Sequence, residues 1–173
     1  MPILDYTIPA AIARLLRLPG MDARSQQLRV LKRLLRKARF TEFGQRYGFD
    51  TILLSKHAGK SFQQKVPTYD YNKLYREFWY KTLDGVPDVC WPGPIKYFAL
   101  SSGTSEAASK YIPITKDLIK ANTLTSMKQL FTLAGYQDVN FKALPKGWLI
   151  LGGSTTLQKS ANYYAGDLSG IQQ

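Results

Sequence analysis

Residues 95–114 read IKYFALSSGTSEAASKYIPI, in which two apolar segments flank a run of small polar residues. The flanking segments, 95–100 and 110–114, are short and rich in aromatic and β-branched residues, which is typical of strands. Pro113 predicts that the second strand lies at a sheet edge, because proline cannot donate a hydrogen bond to a neighbouring strand. The loop between the two segments therefore joins two strands.

The run of small residues in this loop is either an exposed connector or a loop that wraps an anion. Gly103 can adopt a positive φ angle, which lets backbone N–H groups converge on a phosphate. Hydroxyl donors and one cation accompany it: Ser101, Ser102, Thr104, Ser105 and Lys110. The spacing is neither that of the nucleoside triphosphatase loop, which joins a strand to a helix, nor Gly-x-Gly-x-x-Gly. Composition alone leaves both interpretations open.

The composition excludes several classes of protein. The chain has 173 residues, 45% of them hydrophobic, which is enough for one globular domain. The single cysteine, Cys90, excludes an internal disulfide, and the single histidine, His57, cannot build a His/Cys metal site. Apolar runs stay well below the roughly 20 residues that span a bilayer, and the first is interrupted by Arg14 and Arg17. We therefore expect a cytoplasmic protein.

The formal net charge of +12 is concentrated near the start of the chain. Residues 1–60 contain 12 basic and 4 acidic residues, a net charge of +8. Periodicity predicts a helix from about Ser25 to Arg39 with an apolar stripe opposite a basic face. Such a face is a candidate for binding nucleic acid or membrane, but no aromatic residues interleave with its charges, as base stacking requires. We expect a solvated surface helix, with neither nucleic acid nor membrane as partner.

The remaining pattern predicts a mixed α/β chain, mainly helical over 1–62 and mixed over 63–173. One helix begins at Asp70 as its cap and ends at Gly85, and its aromatic residues are expected in the core. A second follows Thr115 and places five apolar residues on one buried stripe: Ala121, Leu124, Met127, Phe131 and Ala134. A last strand, 148–151, runs into Gly152, Gly153 and Ser154.

Taken together, several segments resemble the auxin-responsive promoter (Gretchen Hagen) family of acyl-acid amido synthetases, in the acyl-adenylate-forming superfamily. The family's phosphate loop reads Ser-Ser-Gly-Thr-Ser/Thr, then a few variable residues, Lys, an apolar residue, Ile-Pro and Thr. That pattern is matched at Ser101, Ser102, Gly103, Thr104, Ser105, Lys110, Ile112, Pro113 and Thr115. Five segments occur in the family's order and look like its bacterial branch: FTEFGQRYGFDTI, VPTYDYNKL, WPGPIKYFALSSGT, LILGGS and GDLSGI.

The resemblance implies that residues 1–173 are the N-terminal part of a large adenylation domain. The implied reaction uses ATP and Mg²⁺ to adenylate a carboxylate and then transfers the acyl group to an amine, usually an amino acid. The resemblance assigns the binding of the ATP phosphates to residues 101–105 and Lys110. It identifies no catalytic residue and no metal ligand. Gly152, Gly153 and Ser154 either line an acyl pocket or form a tight turn. The family's later adenine and ribose motifs have no counterpart, so we expect the 173-residue chain alone to be inactive.

Two residues in the loop depart from the family pattern. Ala107 stands where plant members usually have a second glycine, and Glu106 brings a negative charge close to the phosphate region. Two alternative functions stay open. The superfamily also contains CoA ligases, which share the loop. The net charge of +8 in residues 1–60 is also consistent with a non-catalytic basic module that binds nucleic acid or membrane. The salt dependence of binding distinguishes such a module from an enzyme, since the affinity for non-specific nucleic acid falls linearly in log salt.

Overall fold

The computed structural model describes residues 22–101, 110–132 and 152–172. The chain divides into two compact units. One unit comprises residues 1–20 and 116–152, and the other comprises residues 21–115 and 153–173. The fold is mixed α/β, with helices and a four-stranded sheet, as the sequence predicts.

Four helices open the described part of the larger unit. They are α1 (Ala23–Ala38), α2 (Glu42–Arg46), α3 (Phe49–Leu54) and α4 (Ala58–Lys65). Helix α1 begins at Asp22, whose carboxylate accepts the N–H of Ser25 at 3.0 Å and satisfies one of the free donors of the first turn. Leu35 and Ala38 are buried against α3 and α4, and the basic side chains of α1 lie mostly on its exposed side.

A continuous helical segment then runs from Tyr71 to Leu83. It comprises α5 (Tyr71–Leu74), a π-helical turn (Tyr75–Trp79) and α6 (Tyr80–Leu83). The predicted cap is confirmed, because the carboxylate of Asp70 accepts the N–H of Lys73 at 2.7 Å. The segment ends before Gly85, which adopts a φ of 85°. The π-helical turn was not expected from the sequence.

The sheet contains β1 (Tyr97–Leu100), β2 (Tyr111–Ile114), β3 (Gln158–Lys159) and β4 (Tyr164–Gly166), in the order β2-β1-β4-β3. Strands β1 and β2 pair antiparallel, so the loop does join two neighbouring strands. Strand β2 lies at the edge of the sheet that the described strands form, as Pro113 predicts. Strand β4 pairs parallel with β1 and antiparallel with β3. A short helix, α8 (Leu168–Ile171), follows β4, and the predicted strand at 148–151 lies outside the described residues.

The smaller unit contributes one described helix, α7 (Lys116–Thr132), which begins directly after Thr115 as predicted. Its expected buried stripe is wrong where it is described, because Leu124 is 54% exposed, Met127 is 44% exposed and Ala121 is also exposed. Apolar residues spaced by three or four positions share one face of a helix, but this spacing does not show that another element packs against that face. Phe131 and Ala134 lie outside the described side chains. Among the described segments, no helix combines the length and apolar character needed to cross a bilayer.

Candidate functional site

The two ends of the predicted phosphate loop are bonded to each other. Leu100 of β1 lies opposite Tyr111 of β2, and the loop leaves and rejoins the sheet at this pair. The N–H of Ser101 donates to the carbonyl of Lys110 at 3.1 Å, and the N–H of Lys110 donates to Ser101 Oγ at 3.3 Å. The base of the loop is therefore closed by Ser101 and Lys110. Ser102, Gly103, Thr104 and Ser105 lie outside the described residues.

Both residues of the base retain groups suited to an anion. Ser101 uses an oxygen lone pair to accept the bond from Lys110, and this bond leaves its hydroxyl proton available for donation. The side chain of Lys110 is exposed, and its ammonium lies 5.2 Å from the ring centroid of Tyr71. An ammonium has three N–H donors, so a ring on one side does not consume them. The base thus offers one hydroxyl donor and one cation.

Tyr71 was not predicted as part of the site. Its hydroxyl accepts the N–H of Tyr111 at 2.9 Å and lies 3.4 Å from the carbonyl oxygen of the same residue. The sequence shows an aromatic cluster at this place but gives no sign that it contacts a strand 40 positions later. The structure therefore adds Tyr71 to the loop base.

Gly153 and Ser154 form a second close contact with the residues that follow β4. The N–H of Gly153 donates to Ser169 Oγ at 2.7 Å, and the N–H of Ser154 donates to Asp167 Oδ2 at 2.9 Å. A Cβ atom at Gly153 would lie only 2.6 Å from Asp167 Cγ. This contact joins the LILGGS and GDLSGI segments. A tight approach accounts for Gly153, while the acyl-pocket role of Gly152, Gly153 and Ser154 stays a prediction.

The loop base and the Asp167 contact lie at the same end of the sheet. Strands β1 and β4 are parallel neighbours, with Ala99 opposite Gly166. Ser101 and Asp167 each come just after the carboxyl end of their strand. Ligands of open α/β sheets bind outside the carboxyl ends of the strands, so this is the end where a ligand is expected.

The described groups at this end are of the kinds that contact a phosphate ligand and a metal ion bound with it. No group of three His, Cys, Asp or Glu side chains within the described ranges is arranged to hold a metal. Mg²⁺ bound with a nucleotide is held mainly by phosphate oxygens and water, with one or two protein carboxylates. Asp167 supplies a carboxylate at this end of the sheet, and Ser101 supplies a hydroxyl. The chemistry of these residues is therefore compatible with Mg²⁺-ATP.

An apolar cavity of about 280 Å³ lies elsewhere in the same unit. Its lining includes Leu31, Leu34, Phe62, Trp79 and Cys90, and none of the predicted site residues. Burial raises the pKa of the Cys90 thiol to about 12, so this cysteine is protonated at neutral pH. Cys90 is half-buried, and its raised pKa makes it a poor nucleophile at neutral pH.

Comparison with known proteins identifies relatives of the whole described fold. The model of the GH3 family N-terminal domain matches residues 15–173. The solved structure titled "AtGH3.15 acyl acid amido synthetase in complex with 2,4-DB" superposes with a TM-score of 0.72 at 25% identity, covering 96% of this chain and 28% of that one. A second structure, titled "GH3.15 acyl acid amido synthetase", superposes with a TM-score of 0.69 at 20% identity, covering 99% and 29%. No curated protein matches this sequence. The chain thus spans less than a third of the length of these solved structures.

Proposed function

The chain belongs to the GH3 family, and from that membership we propose that it carries the ATP phosphate-binding part of an acyl acid amido synthetase. The activity would use ATP to activate a carboxylate and would then join the acyl group to an amine, usually that of an amino acid. The family resemblance drawn from the sequence is confirmed by the match over residues 15–173. Because the reaction consumes ATP, the proposal includes a cytoplasmic location.

The observation that carries this proposal is the closed base of the loop at the carboxyl end of β1. Reciprocal bonds between Ser101 and Lys110 fix both ends of residues 102–109. The backbone of these two residues is thereby held at the carboxyl end of β1. Donors that are held in place stabilise charge that develops on a leaving group.

Each predicted group has a distinct task in this proposal. Ser101, Ser102, Thr104 and Ser105 donate hydroxyl hydrogen bonds to phosphate oxygens, and Gly103 lets the backbone approach them closely. Lys110 adds a positive charge at the base of the loop. Mg²⁺ bound with ATP would supply further neutralisation of phosphate charge. Gly152, Gly153 and Ser154 are assigned to the acyl side of the site.

Binding of inorganic pyrophosphate to the 173-residue chain tests the proposal directly. Isothermal titration calorimetry in the presence of Mg²⁺ measures affinity for the wild type, Lys110→Met and Lys159→Met. Lys159 is the matched control, because it is exposed and pairs with Tyr164 at the opposite end of the sheet. We expect binding by the wild type and by Lys159→Met, and weaker binding by Lys110→Met.

Two outcomes count against the proposal. Absence of pyrophosphate binding by the wild type contradicts it, and so does equal binding by the two lysine variants. If the chain instead binds duplex DNA with an affinity that falls linearly in log salt, the protein is a basic binding module and the synthetase proposal is wrong. Carboxylate-dependent exchange of labelled pyrophosphate into ATP measures adenylation, and we expect none from these 173 residues alone.

A further inference from the structure

One side chain contacts two successive residues at the base of the loop. The hydroxyl of Tyr71 bonds to the backbone of Tyr111, accepting its N–H at 2.9 Å. The ring of Tyr71 lies under the ammonium of Lys110, with 5.2 Å between the nitrogen and the ring centroid. Tyr71 therefore contacts both β2, which follows the loop, and the ammonium of Lys110 at the base of the loop.

The register of the sheet explains why Tyr111 turns its backbone toward Tyr71. Backbone groups of successive residues in a strand point to opposite sides. Lys110 directs its N–H and carbonyl toward Ser101, so Tyr111 directs its own toward the outer edge of the sheet. Among the described strands, β2 has no neighbour on that edge, and the hydroxyl of Tyr71 bonds to its backbone there instead.

Tyr71 is itself held in place by aromatic neighbours. Its ring stacks on Tyr75 with centroids 5.8 Å apart and meets Trp79 edge to face at 5.8 Å. Both neighbours belong to the π-helical turn, and such turns are frequent at functional sites. The carboxylate of Asp70 caps the helix at the preceding residue. The ring under Lys110 is thus supported on more than one side.

We propose that Tyr71 is a positioning residue of the phosphate site, a role that rests on the proposed function. Its hydroxyl fixes the point at which the loop enters β2, and its ring holds the ammonium of Lys110 at the loop base. A cation over an aromatic face is attracted by the ring quadrupole, so the charge is concentrated there before a ligand arrives. Tyr71 acts on the ligand through Lys110.

A double-mutant cycle in the 173-residue chain tests this role. Pyrophosphate affinity is measured for the wild type, Tyr71→Leu, Lys110→Met and the double variant. Cation–π attraction at an exposed site corresponds to about a two- to fivefold change in affinity, and we expect a loss of that size from Tyr71→Leu. In the Lys110→Met background the same substitution is expected to cost clearly less, because only the loss of the Tyr71 hydroxyl then remains. Tyr80→Leu is the control, because Tyr80 is an exposed tyrosine outside this contact.

A ligand-free measurement keeps the test valid if Tyr71→Leu fails to fold. The ring current of Tyr71 should shift the side-chain methylene protons of Lys110 upfield in the NMR spectrum of the wild-type chain. Tyr71→Phe retains the ring and should retain this shift. Signals that disappear in Lys110→Arg identify the lysine protons.

Each remaining outcome has a defined meaning. An equal loss of affinity from Tyr71→Leu in both backgrounds overturns the positioning role and leaves the proposed function standing. Unshifted Lys110 protons overturn it as well. A shifted Lys110 in a chain that binds no pyrophosphate defeats the proposed function, and the positioning role falls with it.

Discussion

Gly153 and Asp167 approach so closely that a side chain on the glycine would overlap the aspartate. A Cβ atom placed at Gly153 would lie 2.6 Å from Asp167 Cγ and 2.7 Å from Asp167 Cβ. Moving the carboxylate away would break the hydrogen bond that its Oδ2 accepts from the N–H of Ser154 at 2.9 Å. Close packing across this contact therefore requires glycine at position 153.

The first prediction is that Gly153→Ala destabilises the chain. Forcing an extra methyl group into a close contact costs about 1–3 kcal/mol. Urea unfolding followed by circular dichroism measures the change. Gly59→Ala is the matched control: a Cβ at this helical glycine meets nothing within 4 Å, so we expect a gain of about 0.5–1 kcal/mol. Unchanged stability in Gly153→Ala would show that the contact yields easily.

The second prediction concerns Phe78 in the π-helical turn. This side chain is 0% exposed and packs against Phe43, with ring centroids 5.0 Å apart. We expect Phe78→Ala to lower the free energy of unfolding by about 3–5 kcal/mol, because it opens a cavity in the core. Phe40→Ala provides the comparison, since Phe40 is 67% exposed and its loss should cost about 0.5 kcal/mol or less. Similar losses from the two substitutions would contradict the burial of Phe78.

The third prediction concerns the response of the fold to alkaline pH. Burial raises the pKa of the Cys90 thiol from 9.0 to about 12, so the folded chain holds this proton more tightly than the unfolded chain. The resulting stability is present below about pH 9 and is lost as the pH rises from 9 toward 12. Burial also raises the pKa of Tyr69 and of Tyr111, which act in the same direction.

Cys90→Ala isolates the contribution of the thiol to this alkaline loss. We expect the variant to lose less stability than the wild type between pH 8 and pH 10.5, while the tyrosines maintain part of the decline. A thiol reagent applied at pH 8 should react more slowly with the folded wild type than with the urea-unfolded chain. Equal reaction rates in the two states would show that Cys90 is accessible as a thiolate.

The strand-loop-strand unit could be predicted because its signals are local. Aromatic and β-branched residues flank the loop, and Pro113 marks the edge strand. The other half of the sheet has no such signal. Strands β3 and β4 contain two and three residues, which is too short for a periodic pattern. The parallel pairing of Tyr97 with Tyr164 joins distant parts of the chain, and only tertiary packing specifies it.

The same distinction applies to the candidate site. Ser101 and Lys110 could be named from a short motif, since both lie within the loop segment. Tyr71 could not, because its contact with Tyr111 depends on how the helical segment packs against the sheet edge. Asp167 likewise becomes a neighbour of Gly153 only once β4 has paired with β1.

The last prediction separates a phosphate-binding loop from a serine-rich connector. Ser102→Ala combined with Thr104→Ala removes two hydroxyl donors from the predicted clamp. Hydrogen bonds to charged groups contribute about 1.5–3 kcal/mol each, so we expect the loss of two to lower pyrophosphate affinity by about a hundredfold or more. Hydroxyl groups of a connecting loop contribute little to folding, and the midpoint of thermal unfolding should therefore stay close to that of the wild type.

The control for this double variant is Thr51→Ala combined with Ser160→Ala. Both side chains are exposed, and Ser160 precedes β4, at the end of the sheet opposite the loop base. Calorimetry with pyrophosphate and Mg²⁺ and a thermal melt are recorded for the wild type and both double variants. The control should match the wild type in affinity, because its lost hydroxyls lie outside the clamp. If the loop variant also binds pyrophosphate as the wild type does, the hydroxyls do not contact the anion, and the serine-rich loop is a connector.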